Sequence, residues 1–397
     1  MLVRKRTPMS CNVPAVVILG RLNGLGVIRS LGCGGVKSYV VDNDRLSPGM
    51  WSRYAQPVIS KSLDGQDIVE SLLKLHGTLG ERPVLFNTHE MAVLAISENR
   101  GKLESAFRFR LPTHETVIAL QDKARFHELA ISSGLTVPRG AVLRADSDIA
   151  GTLRSLHFPI VVKPADKEPV HSGKARGVVV FERFEDALAG CEEMLARAGE
   201  AIAQEWVDGG SDHIYFCLFY RGRNGKIVSM FTGRKLASSP PGIGLTAYCT
   251  AAAAEARDIL EPITESFLES VDYGGMGSVE YKWDAPNRRF VLIEPTVGRT
   301  DWQEEIATLC GVNIPLDAYC HELELPLPPR ALPSNEVVWR ASIFEPLKTL
   351  RPKLAATARI RDGYWRLDDP MPAIIQYSYG TLAAAGRQLR KRINPNT

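Results

Sequence analysis

The sequence predicts an α/β fold in more than one domain, on three observations. Strand-like apolar runs alternate with helical patterns, the signature of that class. An early strand ends in polar side chains, as in open sheets that bind ligands at their carboxyl edge. The 397 residues, 45% hydrophobic and 23% charged, are ordinary for a soluble globular chain and long enough for two or three domains with a sizeable core.

The first domain, residues 1–112, is justified element by element. AVVILG (Ala15 to Gly20) is a strand, a glycine-punctuated turn and a helix follow it, and SYVVD (Ser38 to Asp42) is the next strand. PVLFNTHE is a third, delivering Asn87, Thr88, His89 and Glu90 to the ligand edge of a small doubly wound sheet. Gly20, Gly24 and Gly26 with Asp42 are close to a dinucleotide fingerprint. Their order is G-x-x-x-G-x-G rather than G-x-G-x-x-G, so a tight strand-to-helix turn is favoured over a nicotinamide site.

Composition excludes several classes. A net charge of +3 gives no argument for a nucleic-acid partner. Seven scattered cysteines without C-x-x-C spacing indicate neither a disulfide framework nor a zinc centre, which favours a reducing cytoplasm. The N-terminal stretch is interrupted by Pro14 and runs into the glycine turn rather than a cleavage site, and no apolar run approaches the roughly 20 residues of a spanning helix.

From Leu111 the character changes, and a second domain is expected over residues 113–326. LPTHETVIALQDKARFHELAISSGLTVPR predicts a helix with Lys123 inside it, closed by Gly134 and Pro138. FPIVVKPAD is a strand that ends in Lys163, whose ammonium must find an anion or solvent. HSGKARG is a glycine-flanked loop carrying Lys174 and Arg176, suited to closing over phosphates. In AIAQEWV, the segment Gln204, Glu205, Trp206, Val207 offers backbone groups to a purine, and Asp212 follows where a ribose hydroxyl would lie.

MGSVEYKWDAPNRRFVLIEPTVGRTDW reads as two strands around the turn DAPNRR. A hairpin centred on Asn287 sets Glu280 and Glu294 opposite one another, with Cβ atoms about 4.5–5.5 Å apart, where like charges destabilise a sheet. A cation between them resolves the conflict. Two carboxylates with nucleotide phosphates suit Mg²⁺, a hard ion that keeps several waters. The alternative is an asymmetric hairpin in which one glutamate is merely solvated. In the metal reading, amide substitution of either acid is expected to abolish activity without lowering the stability of the metal-free protein.

These residues, taken together over Leu111 to Pro326, resemble the ATP-grasp superfamily of carboxylate-amine ligases, the amino-acid and D-aspartate ligases among them. The resemblance implies an ATP-grasp fold preceded by a small Rossmann-like domain, with ATP and Mg²⁺ (or Mn²⁺) as cofactors. It implies that Lys123 and Lys163 contact phosphates, that Gln204–Val207 is the adenine hinge, and that Asp212 holds the ribose. Arg234 and Lys235 would lie near the γ-phosphate and acceptor, Glu280 and Glu294 would ligate the metal with Thr296 beside them, and Arg299 would act on the reacting groups. Two departures stand out: Thr296 replaces the usual asparagine, and Arg299 is farther from Glu294 than in the pattern E-x-N-P-R.

The expected activity is ATP-dependent joining of a small carboxylate to an amine, in which a phosphorylated acyl group supplies the leaving group that a carboxylate lacks. Positioned cations and paired acids suffice for it, and no G-x-S-x-G elbow or cysteine–histidine nucleophile is present. A nicotinamide oxidoreductase and a non-catalytic nucleotide-binding module are the alternatives. After Pro326, the proline-rich LPLPPRALP reads as a linker or strap, and residues 327–397 as a C-terminal extension that packs on the main body. Its basic end, YGTLAAAGRQLRKRINPNT, suits an anionic membrane surface less well than solvent, because its largely alanine face buries little area.

Overall fold

A computed structural model describes residues 12–166, 177–240, 244–330, 336–341, 354 and 356–378. The loop with Lys174 and Arg176, Pro241 and Gly242, and the basic C-terminal end lie outside these residues. Among the described residues no helix is long and apolar enough to cross a membrane.

Strands β1 (Ala15–Ile18), β2 (Ser38–Asp42), β3 (Ala55–Ile59) and β4 (Val84–Asn87) make a parallel sheet in the order β3-β2-β1-β4. Every residue of β1 is buried because the sheet is covered on both sides: Ala15 and Val17 enter one core, Val16 and Ile18 another. The sequence pattern missed β3. It is an edge strand, AQPVI, half exposed and containing the proline that only an edge tolerates.

The glycine turn closes as a packing device. A side chain at Gly24 would lie 1.8 Å from the Leu19 carbonyl oxygen, and one at Gly26 would meet Glu304 and Glu305. The Gly20 N–H donates to Asp42 Oδ2 at 2.7 Å. Asp42, the residue a dinucleotide ribose would need, is therefore engaged within the turn.

The predicted helix around Lys123 is two helices, His114–Gln121 and Lys123–Ser132. Asp122 breaks them, because its side chain leaves the helical path to accept the Arg125 N–H at 2.8 Å as an N-cap. Lys123 accordingly stands at the first position of a helix rather than inside one, its N–H bonded to the Ala165 carbonyl.

A second sheet consists of β5 (Gly140–Leu143), β6 (Ile160–Pro164), β7 (Val179–Phe181) and β8 (Ala201–Glu205), antiparallel in the order β5-β8-β6-β7. It has its own core with helices Ile149–Arg154 and Phe184–Ala198. The third and largest sheet has the order β13-β12-β9-β10-β11-β14-β15. Its strands are β9 (Ile214–Arg221), β10 (Ile227–Ser239), β11 (Leu245–Ala251), β12 (Gly275–Asp284), β13 (Arg289–Val297), β14 (Val337–Arg340) and β15 (Arg359–Asp362). The last two come from the C-terminal extension, which extends this sheet at the β11 edge.

The extension is also tied to the first domain. Arg29, buried on the helix Leu22–Cys33, donates to Asp369 Oδ2 (2.9 Å) and to the carbonyls of Gly363 (2.9 Å), Tyr364 (2.6 Å) and Asp369 (3.1 Å). Glu305 lies between Arg29 (3.7 Å) and Arg366 (2.8 Å) and accepts from Trp339 Nε1 (3.3 Å).

Next to it, Glu304 is fully buried with Oε1 unpartnered, and burial followed by the Glu305 charge pushes its carboxyl well above 4.5. Because the folded value is raised, the folded state retains a proton that the unfolded chain gives up above about 4.5, so stability falls as pH rises from there. Glu304→Gln is expected to remove this decline. Its advantage in melting temperature over wild type should widen from pH 5 to pH 8 in a pH series of thermal melts; a constant gap would mean that Glu304 does not titrate with folding.

Candidate functional site

The acids sit where the β12–β13 hairpin is irregular. From Asp284↔Arg289 to Tyr281↔Leu292 the register is regular, and its continuation would set Glu280 against Ile293 and turn Glu294 to the opposite face. A bulge between Tyr281 and Glu280 absorbs Ile293 and brings Glu280 opposite Glu294. The hairpin centre thus falls half a residue from Asn287, and it is the bulge that opposes the two carboxylates. Beyond it Ser278 faces Thr296, so Glu280, Glu294 and Thr296 share one face.

Lys235 of β10 reaches the same face, and its Nζ lies 2.5 Å from Glu280 Oε2. Burial works against the Lys235 charge, but Glu280, Asp301 and Glu294 outweigh it and raise its pKa. Glu280 is raised by burial despite Lys235, with Glu294 and Asp301 acting in the same direction. Three acids thus surround one ammonium, an arrangement with more negative charge than Lys235 can match. In consequence Glu280 anchors a buried lysine in the metal-free protein, so its removal cannot be neutral for stability, contrary to the expectation from the sequence.

The second sheet supplies the facing wall. Lys163 on β6 is lowered by burial, while the charges of Glu294 and Glu280 support its protonated form. Lys123, Lys163, Gln204, Glu294, Thr296 and Arg299 line one cleft between the two sheets, of about 560 Å³ with its mouth included. Glu90, which opens the helix Glu90–Glu98 after β4, also lines it, 3.8 Å from Arg299.

In the expected hinge, Gln204 Nε2 pairs with His127 Nδ1 (3.1 Å), and burial keeps His127 below its usual value. The Glu205 and Trp206 N–H groups are already given to the carbonyls of Arg139 and Pro159, and the Glu205 carboxylate turns outward to His157 (2.8 Å). Val207, the last residue of this segment, is half-buried. Lys282, two residues beyond Glu280 on the same face, places its ammonium 4.2 Å from the Trp206 ring centre. Arg234 points to the opposite side of β10 from Lys235 and is occupied with Asp212, donating to its carbonyl at 2.6 Å. The structure therefore separates Arg234 and Asp212 from the acids that it joins to Lys235 and Lys163.

Sequence reasoning passed over Lys282, Asp301, His127 and the role of Glu90. Lys282 was legible as the next polar position of an alternating strand; Asp301 and His127 are brought in by a loop and a helix with no local signal.

The residues present suit a magnesium ion. Glu280 and Glu294 are opposed hard oxygen donors in an acid-rich pocket, and among the described residues no group of three or more His, Cys, Asp or Glu forms a self-sufficient metal cage. That is the donor set of an ion that shares its coordination with water and phosphates.

No family model matches the chain. Over 187 residues it is 26% identical to a D-alanine--D-alanine ligase of Ectopseudomonas mendocina, a match covering 47% of this chain. The chain thus spans about half the length of this curated relative, 50%. Among solved structures it is similar to biotin carboxylase from Campylobacter jejuni in a β-γ-ATP complex, with TM-score 0.63 and 15% identity over 80% of this chain and 72% of that one. It also superposes on the biotin carboxylase domain of 2-oxoglutarate carboxylase from Hydrogenobacter thermophilus, bound to MgADP and bicarbonate, with TM-score 0.63 and 15% identity over 81% and 72% of the two chains. With a Rossmann-like sheet leading into an antiparallel sheet and a largely antiparallel one that face across a cleft, the chain has the ATP-grasp fold.

Proposed function

We propose that the protein is an ADP-forming ligase that activates a small carboxylate with ATP and joins it to an amine, an amino acid being the natural class for one or both. The observation that carries this reading is the pair Glu280 and Glu294, opposed through a bulge and facing Lys163 across the cleft. Related proteins of this fold hold ATP analogues or MgADP, and the sequence relative is a D-alanine--D-alanine ligase.

In this reading the nucleotide lies between the sheets. Lys123 and Lys163 neutralise phosphate oxygens, Val207 and the hinge carbonyls meet the purine, and Glu280 and Glu294, with Thr296 beside them, would hold Mg²⁺. When bound, that ion would supply charge neutralisation on the nucleotide phosphates. Arg299 and Lys235 face the position where negative charge grows as a carboxylate oxygen attacks the γ-phosphorus and ADP departs. The amine then attacks the acyl carbon, phosphate leaves with the C–O electron pair, and the amine gives up a proton. Asp212 and Arg234 act as a structural pair that shapes the hinge side of the cleft.

The test is ADP release measured over a panel of amino acids and other carboxylates, with and without amines. ADP formation that requires both partners supports the proposal; a nucleotide-binding module would release none with any pair. Lys163→Ala is expected to weaken ATP binding by roughly ten- to a hundred-fold, the loss of a charged hydrogen-bonding partner, with smaller effect on the carboxylate. Calorimetric titration measures it, and unchanged ATP affinity would remove Lys163 from the site.

A further inference from the structure

A second chamber, about 420 Å³ with its mouth included, lies between the β4 edge of the first domain and the large sheet. One end is apolar, formed by Phe86, Ile96 and Met276; the other is polar, formed by Arg110, Tyr220 and Glu322. Glu322 is buried and already satisfied: Tyr220 donates to it in a short hydrogen bond, and Arg223 reaches it from the rim at 3.2 Å. Although burial opposes it, the Tyr220 hydrogen bond and the Arg110 and Arg223 guanidiniums hold Glu322 below the usual glutamate value, so it stays an anion.

Arg110 is the group left short. Its Nε is shielded from solvent, has no hydrogen-bond partner, and approaches Glu322 Oε1 at only 3.5 Å. The Arg110 side chain is 27% exposed and ion-paired with Glu322, but a shielded N–H without a well-placed acceptor is costly, and an incoming anion would satisfy it. Met276 pairs with Tyr220 four positions along β12 from Glu280, about 14 Å at the strand rise. An anion held there is therefore not the carboxylate that reacts beside Glu280. The chamber still shares a wall with the nucleotide cleft, since Gly298 lines the first and its neighbours Val297 and Arg299 line the second.

We propose that this chamber is a separate binding site for a small organic carboxylate with a short apolar body, its carboxylate on Arg110 and its hydrocarbon against Phe86, Ile96 and Met276. The inference does not rest on the proposed ligase activity, and ATP binding followed in the same preparations keeps the two apart.

The experiment is calorimetric titration of the full chain, without nucleotide, using 3-methylbutanoate as the probe, with 3-methylbutan-1-ol and 3-methylbutan-1-amine as neutral and cationic counterparts of the same shape. Saturable binding of the carboxylate alone is expected. Arg110→Gln should weaken it at least tenfold, and Ala318→Leu, which fills the chamber without altering charge, should abolish it while both variants bind ATP as wild type does. If Arg110→Gln does not fold, the Ala318→Leu result decides. No saturable binding to wild type, equal binding of the alcohol or amine, or unchanged affinity in the variants would overturn the proposal.

Discussion

Glu280→Gln and Glu294→Gln should each lower ADP formation by roughly a hundred- to a thousand-fold, the scale on which loss of a preorganised charge acts at a phosphoryl-transfer site. Without metal the two variants should part company. Glu280 holds the buried Lys235 ammonium at 2.5 Å, so its amide leaves a charge without its closest partner and costs about 1–3 kcal/mol. Replacing Glu294 removes a repulsion on Glu280 along with its own attractions, so it should cost less. With Mg-ATP only wild type should gain the full ligand-induced rise in melting temperature. Thermal melts of the three proteins with and without Mg-ATP measure all of this. Equal melting of both metal-free variants would contradict the Lys235 pairing, and equal Mg-ATP shifts would contradict the metal reading.

The second large effect is on stability. Asp369→Ala should destabilise the chain by about 3 kcal/mol, because it strips from Arg29 the nearer of its two carboxylates, in a site closed to water, and leaves Glu305 at 3.7 Å. Loss should begin locally, with faster amide exchange in residues 359–378, before the rest of the fold opens. Wild-type melting and exchange in the variant would show that the extension is held by its strand pairing alone. Since Glu305 sits between Arg29 and Arg366, a few residues after Arg299 and Asp301, this network also fixes the loop that brings both toward the cleft.

What the sequence made legible follows from how local each signal is. The strands β1, β2, β4, β6, β8, β12 and β13 are continuous or alternating apolar runs, and the turn DAPNRR announces their one tight hairpin. The edge strand β3 and the short β14 and β15 were not, because pairing with a neighbour, rather than their own pattern, makes them strands. At the site, the opposition of Glu280 and Glu294 could be read from spacing, but its cause is a bulge at Ile293 that spacing does not encode. Lys123 illustrates the reverse: the sequence put it inside a helix, while its place at the start of one depends on the capping bond that Asp122 accepts. Arg234 and Lys235, adjacent in sequence, were taken as one group, and the alternation of a strand sends them to opposite faces.

The central claim is that ATP activates a carboxylate by phosphorylation before the amine arrives. It is tested most directly by following heavy oxygen from a labelled carboxylate substrate, whichever the ADP-release panel identifies, into the phosphate released during turnover. If the carboxylate attacks the γ-phosphorus and the acyl C–O bond later breaks, the phosphate carries one labelled oxygen and the amide keeps the other. ADP formation with unlabelled phosphate, the second label passing to water or both labels staying in unconsumed carboxylate, would contradict it.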